Sequence, residues 1–404
     1  MAILLRCESS KCQKPLRVED DLAGKTIRCP ACKNSQTAPA ASVSAISFYC
    51  SNKRCGRALR MNVDAVGKMA RCPSCQHHSR VPPSSRFNPA APAGAPRLDG
   101  RVGEIRQIDG PKAQVQQIHF SPDGGRVLVA AWDWSIKVFD TQTWARLYNL
   151  SHESEVQSAM FSPDGSTILS GGGALLFGTG DSAPRLWDAA TGQLRFRGEP
   201  QPHPIKSVAF SPYGRRGYTG SFKLIKTWDL EDMREIQCIE ASDTHIYDVA
   251  VSPDGELIAA SDQNFTVRIW NAKDGSEHLM LSQIGWANGL AFRPGKRELL
   301  VAYGFGKIIL WDVETGTKIR EYSGHDKSVE SIGFSADGER FVSGGADKTV
   351  RVWSVEDGEL HSFQGHKDKL GAVACSPDGR LALSGCTCGG SSQQDFTLRL
   401  WGLG

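Results

Sequence analysis

Residues 324–354 read GHDKSVESIGFSADGERFVSGGADKTVRVWS. The phrase Phe334-Ser-Ala-Asp-Gly338 is a tight-turn signal set between apolar, strand-forming runs, and Trp353 closes an alternating strand nineteen residues after Phe334. The same phrase recurs, with small changes, from Phe120, Phe161, Phe210, Val251, Phe292 and Cys375. In chain order the steps are 41, 49, 41, 41, 42 and 41 residues. The closing position holds Phe139, Trp187, Trp228, Trp270, Trp311, Trp353 and Trp401. Each repeat reads as strand, tight turn, strand, turn, strand, with a fourth strand before the next repeat. One such sheet cannot bury both faces, whereas stacking the sheets around an axis buries them and leaves only short edges. The fold class expected is therefore all-β.

A period near 41 residues, Trp-Asp closings at Trp187-Asp188, Trp228-Asp229 and Trp311-Asp312, and the openings Gly324-His325 and Gly365-His366 resemble the WD-repeat (G-beta-like) β-propeller family over residues 101–404. The resemblance implies a seven-bladed propeller. It also implies, within a blade, a hydrogen-bonded chain of His, Ser or Thr, Asp and Trp. Three repeats carry the full set: His152, Ser170, Asp181 and Trp187; His325, Ser343, Asp347 and Trp353; His366, Ser384, Asp395 and Trp401. In that role the histidines are scaffold and not catalytic. The third repeat keeps His203, Thr219 and Trp228 but has Phe222 in the Asp position; the fourth has Asn264 there, the fifth has Phe305, and the first has Asp133 and Phe139 without a His. Residues 103–109 mirror Lys318–Tyr322, a fourth strand elsewhere, and are expected to complete the last blade and remove an exposed sheet edge.

The first 80 residues are of another kind. Cys7, Cys12, Cys29 and Cys32 are spaced C-x4-C-x16-C-x2-C, and Cys50, Cys55, Cys72 and Cys75 repeat the spacing 43 residues later. The register between the cysteines repeats too, since Arg28-Cys29-Pro30 becomes Arg71-Cys72-Pro73. Two thiolate pairs complete a tetrahedron around zinc, and four sulfurs leave no open position, so the expected ions, two per chain, are structural. A unit of this size buries too little surface to fold alone, which makes metal binding its source of folding energy. The modules resemble short zinc ribbons, with a first knuckle that departs by having four intervening residues. The domain plan is a first module at 1–40, a second at 44–81, a Pro/Ala-rich linker at 82–100 and the propeller at 101–404.

Charge is divided along the same line. Residues 1–80 hold 14 Lys and Arg against 5 Asp and Glu, while the whole chain is only +3. Arg17, Lys25, Arg28, Arg60, Lys68 and Arg71 are candidate phosphate contacts, so RNA or DNA binding by the basic head is the alternative to a protein-binding role. No apolar run approaches the length of a membrane span, and the N-terminal apolar run is too short for a signal-peptide core, so a cytoplasmic protein with reduced thiols and no membrane partner is expected. No nucleophile or acid–base constellation stands out, so neither an enzyme nor a small-molecule substrate is expected.

Two repeats carry insertions between their second and third strands, at 171–180 and 385–394. They flank the first repeat, whose equivalent turn is Trp132-Asp133-Trp134. The expectation is a partner-binding face with Trp132, Trp134, Phe177, Phe222 and Phe305 as anchors, because exposed aromatics are frequent binding hot spots. The partner class is a protein or peptide, docked by a non-catalytic scaffold with the zinc modules as a second contact surface.

Overall fold

The computed structural model describes residues 101–173, 181–281, 285–387 and 395–404, together with the backbone of eight short strands in the first 80 residues. The chain divides into two compact units, Met1–Asn88 and Pro89–Gly404. No described residue is helical.

In the first unit the eight strands form four antiparallel pairs. Ala2–Arg6 pairs with Pro15–Glu19, and Thr26–Arg28 with Ser35–Thr37. Ala45–Tyr49 pairs with Ala58–Asn62, and Met69–Arg71 with His78–Arg80. The registers Ala2↔Glu19 and Ala45↔Asn62 repeat at the 43-residue offset of the cysteines. Each pair of strands brackets one cysteine pair in sequence. The cysteines themselves lie outside the described residues.

The second unit is built from the tight turn outward. In Ser121-Pro-Asp-Gly124 the Ser121 hydroxyl donates to Asp123 Oδ1 at 2.5 Å and accepts the Arg126 N–H at 2.9 Å. Gly124 supplies the left-handed backbone, φ 69°, that this turn requires. Ser162, Ser252, Ser335 and Ser376 make the same hydroxyl-to-aspartate bond in their repeats. Two repeats depart. Tyr213 stands in the Asp position of the third and sends its hydroxyl to the carbonyl of Asp254 in the next repeat. Arg293 stands in the Ser position of the fifth and donates to the Gly338 carbonyl at 2.8 Å.

These turns join strands into sheets. Val115–Phe120, Arg126–Ala131, Ser135–Asp140 and Arg146–Ser151 form the sheet of the first repeat, each strand antiparallel to the one before. The second, fifth and sixth repeats form equivalent four-stranded sheets. Repeats three and four are joined in one seven-stranded sheet by the long strand Arg234–Val251. Its first part pairs with Phe222–Asp229, its last part with Leu257–Asp262. The seventh repeat supplies Leu370–Cys375, Leu381–Cys386 and Thr397–Leu403, and its fourth strand is Val102–Asp109 from the other end of the unit, paired from Thr397↔Asp109 to Leu403↔Val102. Arg399 forms an ion pair with Glu104 across that junction.

The first strand of each repeat lies against the first strand of the next, and Leu370–Cys375 returns to Val115–Phe120. The core is accordingly a series of layers between successive sheets. One layer joins repeats seven and one through Leu383, Leu398, Leu400, Val115, Phe120 and Val129. Another joins repeats five and six through Leu300, Ile308, Phe341 and Trp353. The closing aromatics Phe139, Trp187, Trp228, Trp270, Trp311, Trp353 and Trp401 are all buried. Each contributes on the order of 2–3 kcal/mol of hydrophobic stabilisation.

Candidate functional site

Four antiparallel strands per repeat place the second-to-third-strand turns at the same edge of the unit as the links between repeats. Four of the exposed aromatic residues lie there, whereas Phe196 is exposed on the strand Leu194–Arg197. Trp134 is 55% exposed, Phe265 43%, Trp286 54% and Phe305 43%. Trp134, Phe265 and Phe305 sit in strand turns, and Trp286 ends the link between repeats four and five. Phe265 and Trp286 are in ring contact at 5.6 Å, and Phe305 stacks on Tyr303 at 5.2 Å. Trp134 and Phe265 also occupy left-handed backbone, φ 64° and 67°. That conformation costs an L-residue about 1–2 kcal/mol, and half-exposed rings regain little of it by burial.

The five expected anchors separate. Trp134 and Phe305 are exposed. Trp132 is only partly exposed and its indole N–H is enclosed without a partner, so it packs inward. Phe222 is half-buried between His203, at 4.6 Å, and His245, at 4.9 Å. Phe177 lies outside the described residues, as do 174–180 and 388–394 of the two insertions. Sequence reasoning missed Trp286 and Phe265. The available signal was that each occupies a link or turn equivalent to those already singled out.

Beneath this edge lie the polar chains. In the sixth repeat Trp353 Nε1 donates to Ser343 Oγ at 2.8 Å, His325 Nε2 lies 2.7 Å from the same oxygen, and His325 Nδ1 lies 2.9 Å from Asp347. Burial is the largest single influence on Asp347 and would raise its pKa, but the His325 bond and charge and the two Thr349 bonds together outweigh it and hold the carboxyl below its ordinary range. The seventh repeat repeats the pattern: Trp401 to Ser384 at 2.7 Å, His366 Nε2 to Ser384 at 2.7 Å and Nδ1 to Asp395 at 3.1 Å.

The second repeat differs from the expectation. His152 meets Ser170 at 3.0 Å and Trp187 donates to Ser170 at 2.8 Å, but His152 Nδ1 has no partner. Asp181 is taken instead by Arg185 and Arg197 and by the Ala183 N–H. Burial first, then the Arg185 charge, pushes the His152 pKa down to about 3, which keeps the ring neutral. The third repeat differs as well. Gln201, not His203, fills the His place and donates to Thr219 Oγ1 at 2.8 Å, while Trp228 donates to the same oxygen at 3.0 Å. His203 is exposed and lies against Phe222.

A second set of contacts was not legible from motifs. Three residues before each repeat's first-strand anchor, a side chain reaches the next repeat's backbone. Gln117 accepts the Ala159 N–H, Ser158 accepts that of Val208, Ser207 that of Val249, Asp248 that of Leu290 and Ser331 that of Val373. Gly289 and Ala372 occupy the two remaining positions and offer no acceptor. Asp248 bridges three repeats, because Ser207 also donates to it. Burial raises its pKa to about 6, against the pull of the Leu290 N–H, the Ser207 hydroxyl and the Val249 N–H, which also donates to it.

As for metal, the eight cysteines of the first unit lie outside the described residues. Among the described residues one cluster offers a ligand set: His366, Cys386 and Asp395. Cys386 Sγ is 3.0 Å from His366 Nδ1 and 3.4 Å from the Asp368 carbonyl. Its counterpart in the sixth repeat is Gly345, where a Cβ would meet His325 Nδ1 at 2.5 Å. The imidazole and carboxylate are already engaged in the polar chain, and burial drives the thiol pKa well up. Cys386 is therefore an inserted neighbour of a structural chain.

Comparison with known proteins gives a consistent picture. The pattern described as WD domain, G-beta repeat, matches residues 103–140, 144–188, 234–271, 316–354 and 358–402, about half of the chain. The unmatched intervals hold the departures at Tyr213, Arg293 and Phe305. Serine-threonine kinase receptor-associated protein of Gallus gallus is 25% identical over 282 residues, covering 67% of this chain and 75% of that protein. Apoptotic protease-activating factor 1 of Rattus norvegicus is 26% identical over 297 residues, 71% of this chain but 22% of that protein. Periodic tryptophan protein 2 homolog of Dictyostelium discoideum is 25% identical over 254 residues, 61% of this chain and 26% of that protein. The chain thus spans about a quarter or less of the length of the last two.

Proposed function

This chain belongs to the WD-repeat family, and on that premise we propose that it is a non-catalytic scaffold whose seven-bladed propeller docks a protein or peptide through the edge carrying Trp134, Phe265, Trp286 and Phe305. WD-repeat proteins generally serve as non-catalytic platforms for protein interactions, and the relatives above are consistent with that role. The carrying observation is the pair of bulky rings held half-exposed in left-handed backbone. Folding gains little from them there, whereas a partner that covers a rigid aromatic gains a large contact at small entropic cost. Seven sequence repeats, the seam between Val102–Asp109 and Thr397–Leu403, and the contact of the first strands around the unit support the seven-bladed reading.

The test is affinity capture with the full chain against the double variant Phe265→Ala, Trp286→Ala and the single variant Trp134→Ala. Loss of a hot-spot aromatic is expected to weaken binding by about 2 kcal/mol, roughly thirtyfold in Kd, at unchanged Tm. Equal capture by all three proteins would remove this edge as the docking surface.

The first unit is proposed to hold two structural zinc ions, one in Cys7, Cys12, Cys29 and Cys32, the other in Cys50, Cys55, Cys72 and Cys75. The hairpin-like strand pairs that bracket each cysteine pair support a ribbon of two knuckles. The ions would hold the fold of these modules and supply no reactive position. A second reading, nucleic-acid binding by residues 1–80, is favoured by their net positive charge. Oligonucleotide binding that weakens steeply with salt would support it, and no binding by the full chain at low salt would remove it. A cytoplasmic location is proposed with the reduced, metal-bound cysteines.

A further inference from the structure

A group of basic side chains beside Phe222 has no ion-paired acid among the described residues. Lys206 sits in the link between repeats two and three, its backbone N–H held by the Gly220 carbonyl at 2.8 Å. Lys223 follows Phe222 in the turn of the third repeat, in left-handed backbone with φ 67°, and its ammonium lies 5.3 Å from the centre of the Phe222 ring. His203 and His245 flank that ring at 4.6 and 4.9 Å. Phe222 and His245 are directly paired across the strands, and the Ile246 N–H bonds the Ser221 carbonyl, so the cluster rests on a rigid sheet end.

Among the described residues neither lysine forms an ion pair. Burial alone accounts for the Lys206 pKa, which falls to about 8, with no carboxylate opposing it. The His245 pKa is lowered by burial, then by the Lys206 charge, then by His203. Asp243, the acid nearest to His245 in the chain, does not enter that balance. Like charges gathered without a carboxylate raise the free energy of the empty protein and favour whatever anion relieves them. His245 has one more peculiarity: its Nδ1 is enclosed and unpartnered. A bare acceptor is less costly there than a stranded donor, so the neutral ring carries its proton on Nε2 as a free donor.

We propose that His203, Lys206, Lys223 and His245 form an oxyanion site for a phosphate dianion, either free phosphate or a phosphorylated side chain of the docked partner. Lys206 and Lys223 supply the ammonium charge, and the dianion would favour the charged form of Lys206. The two imidazoles become donors whose protonation the dianion itself favours. A single carboxylate would be matched by one lysine, and a phosphodiester carries one charge per group, so the four-fold basic set fits the monoester best. The site shares the edge proposed for docking, and the phosphorylated-partner source rests on that reading; binding of free phosphate does not.

The test is a histidine-resolved NMR titration of the full chain with sodium phosphate against sodium chloride at matched ionic strength, near neutral pH. Phosphate is expected to raise the pKa of His245 by about one unit, tenfold in protonation equilibrium, to displace the ring resonances of His203, and to leave His152 unmoved. Lys223→Ala, at an exposed position, should weaken phosphate binding several-fold, and Lys206→Met should abolish the shift. Equal responses to phosphate and chloride, or a shift that survives both substitutions, would overturn the site. In a second arm a short phosphoserine peptide is compared with free phosphate. Tighter binding of the peptide identifies a phosphorylated partner, and equal binding identifies free phosphate. The aromatic variants Phe265→Ala, Trp286→Ala should leave the phosphate response intact, so failure of the docking edge and failure of the phosphate site give different results.

Discussion

At the scale of single residues, the polar chains test how a repeat tolerates departures from its pattern. Ser343 accepts from Trp353 and contacts His325, so Ser343→Ala strands two buried groups. A loss of about 1–3 kcal/mol in unfolding free energy is expected, read from denaturant melts. In the third repeat the same reasoning separates two neighbours. Gln201→Ala should cost about 1–3 kcal/mol, because Thr219 loses one of its two partners in a buried chain. His203→Ala should change stability by no more than about 0.5 kcal/mol, because the ring is exposed. The reverse order would restore His203 to the chain. Asp248 gives a pH prediction. Its folded pKa of about 6 lies above the ordinary 3.8, so the folded state holds that proton more tightly. Its contribution is therefore most favourable below about pH 4 and declines as pH rises towards 6. The side chain keeps some solvent contact, so the swing is discounted to about 1–2 kcal/mol. Across that window the stability of wild type relative to Asp248→Asn should fall by this amount and then level off; a difference independent of pH would mean that Asp248 titrates normally.

At the scale of elements, the strand Val102–Asp109 and the first-strand contacts set how the sheets hold together. Removing residues 101–109 would leave Thr397–Leu403 as an open edge and Arg399 without Glu104. A steep fall in Tm is expected in calorimetry, and an unchanged Tm would mean that the seam contributes nothing. Five inter-repeat junctions are bridged by a side chain to a backbone N–H, and the junctions at Gly289 and Ala372 are not. A Cβ at Gly289 would meet nothing closer than Ile332 Cγ1 at 3.5 Å. Gly289→Ser therefore has room to bond the next repeat and should stabilise by about 0.5–1.5 kcal/mol. The repeat period and the tight turns were legible because Ser, Asp and Gly act locally. The bridging position was not, because its partner lies some 42 to 50 residues away and Gln117, Ser158, Ser207, Asp248 and Ser331 are not of one residue type.

At the scale of the whole molecule, two units of opposite charge character follow from one chain. If the first unit takes its folding energy from metal, Cys32→Ser should lower bound zinc from two to one per chain by elemental analysis. Adding Cys75→Ser should lower it to none, and the thermal transition of the second unit should stay in place. Retention of both ions in the single variant would remove the assigned ligand set. The proposed docking edge and phosphate site belong to the second unit, where the unmatched intervals around repeats three and five carry Lys206, Phe222, Lys223 and Phe305. Part of the proposed surface chemistry thus lies in the repeats that depart most from the family pattern, while Trp134, His245 and Phe265 lie in matched intervals.

The local order of this protein could be derived from the chain alone. Turn phrases, closing tryptophans and duplicated cysteines act over a few residues or recur at a constant step, so residue type and spacing suffice to place strands and turns. Three matters needed the folded form. Which residue completes a polar chain depends on reach across a link, and this gave Gln201 in place of His203 and turned Asp181 towards Arg185. Which aromatics stay exposed depends on neighbours supplied by the adjacent repeat, and this separated Trp132 from Trp134 and added Phe265 and Trp286. Which basic groups gather beside Phe222 depends on side chains brought together from the links and strands of repeats three and four. Charge balance and burial are sums over spatial neighbours, and a linear chain does not display those neighbours until it folds.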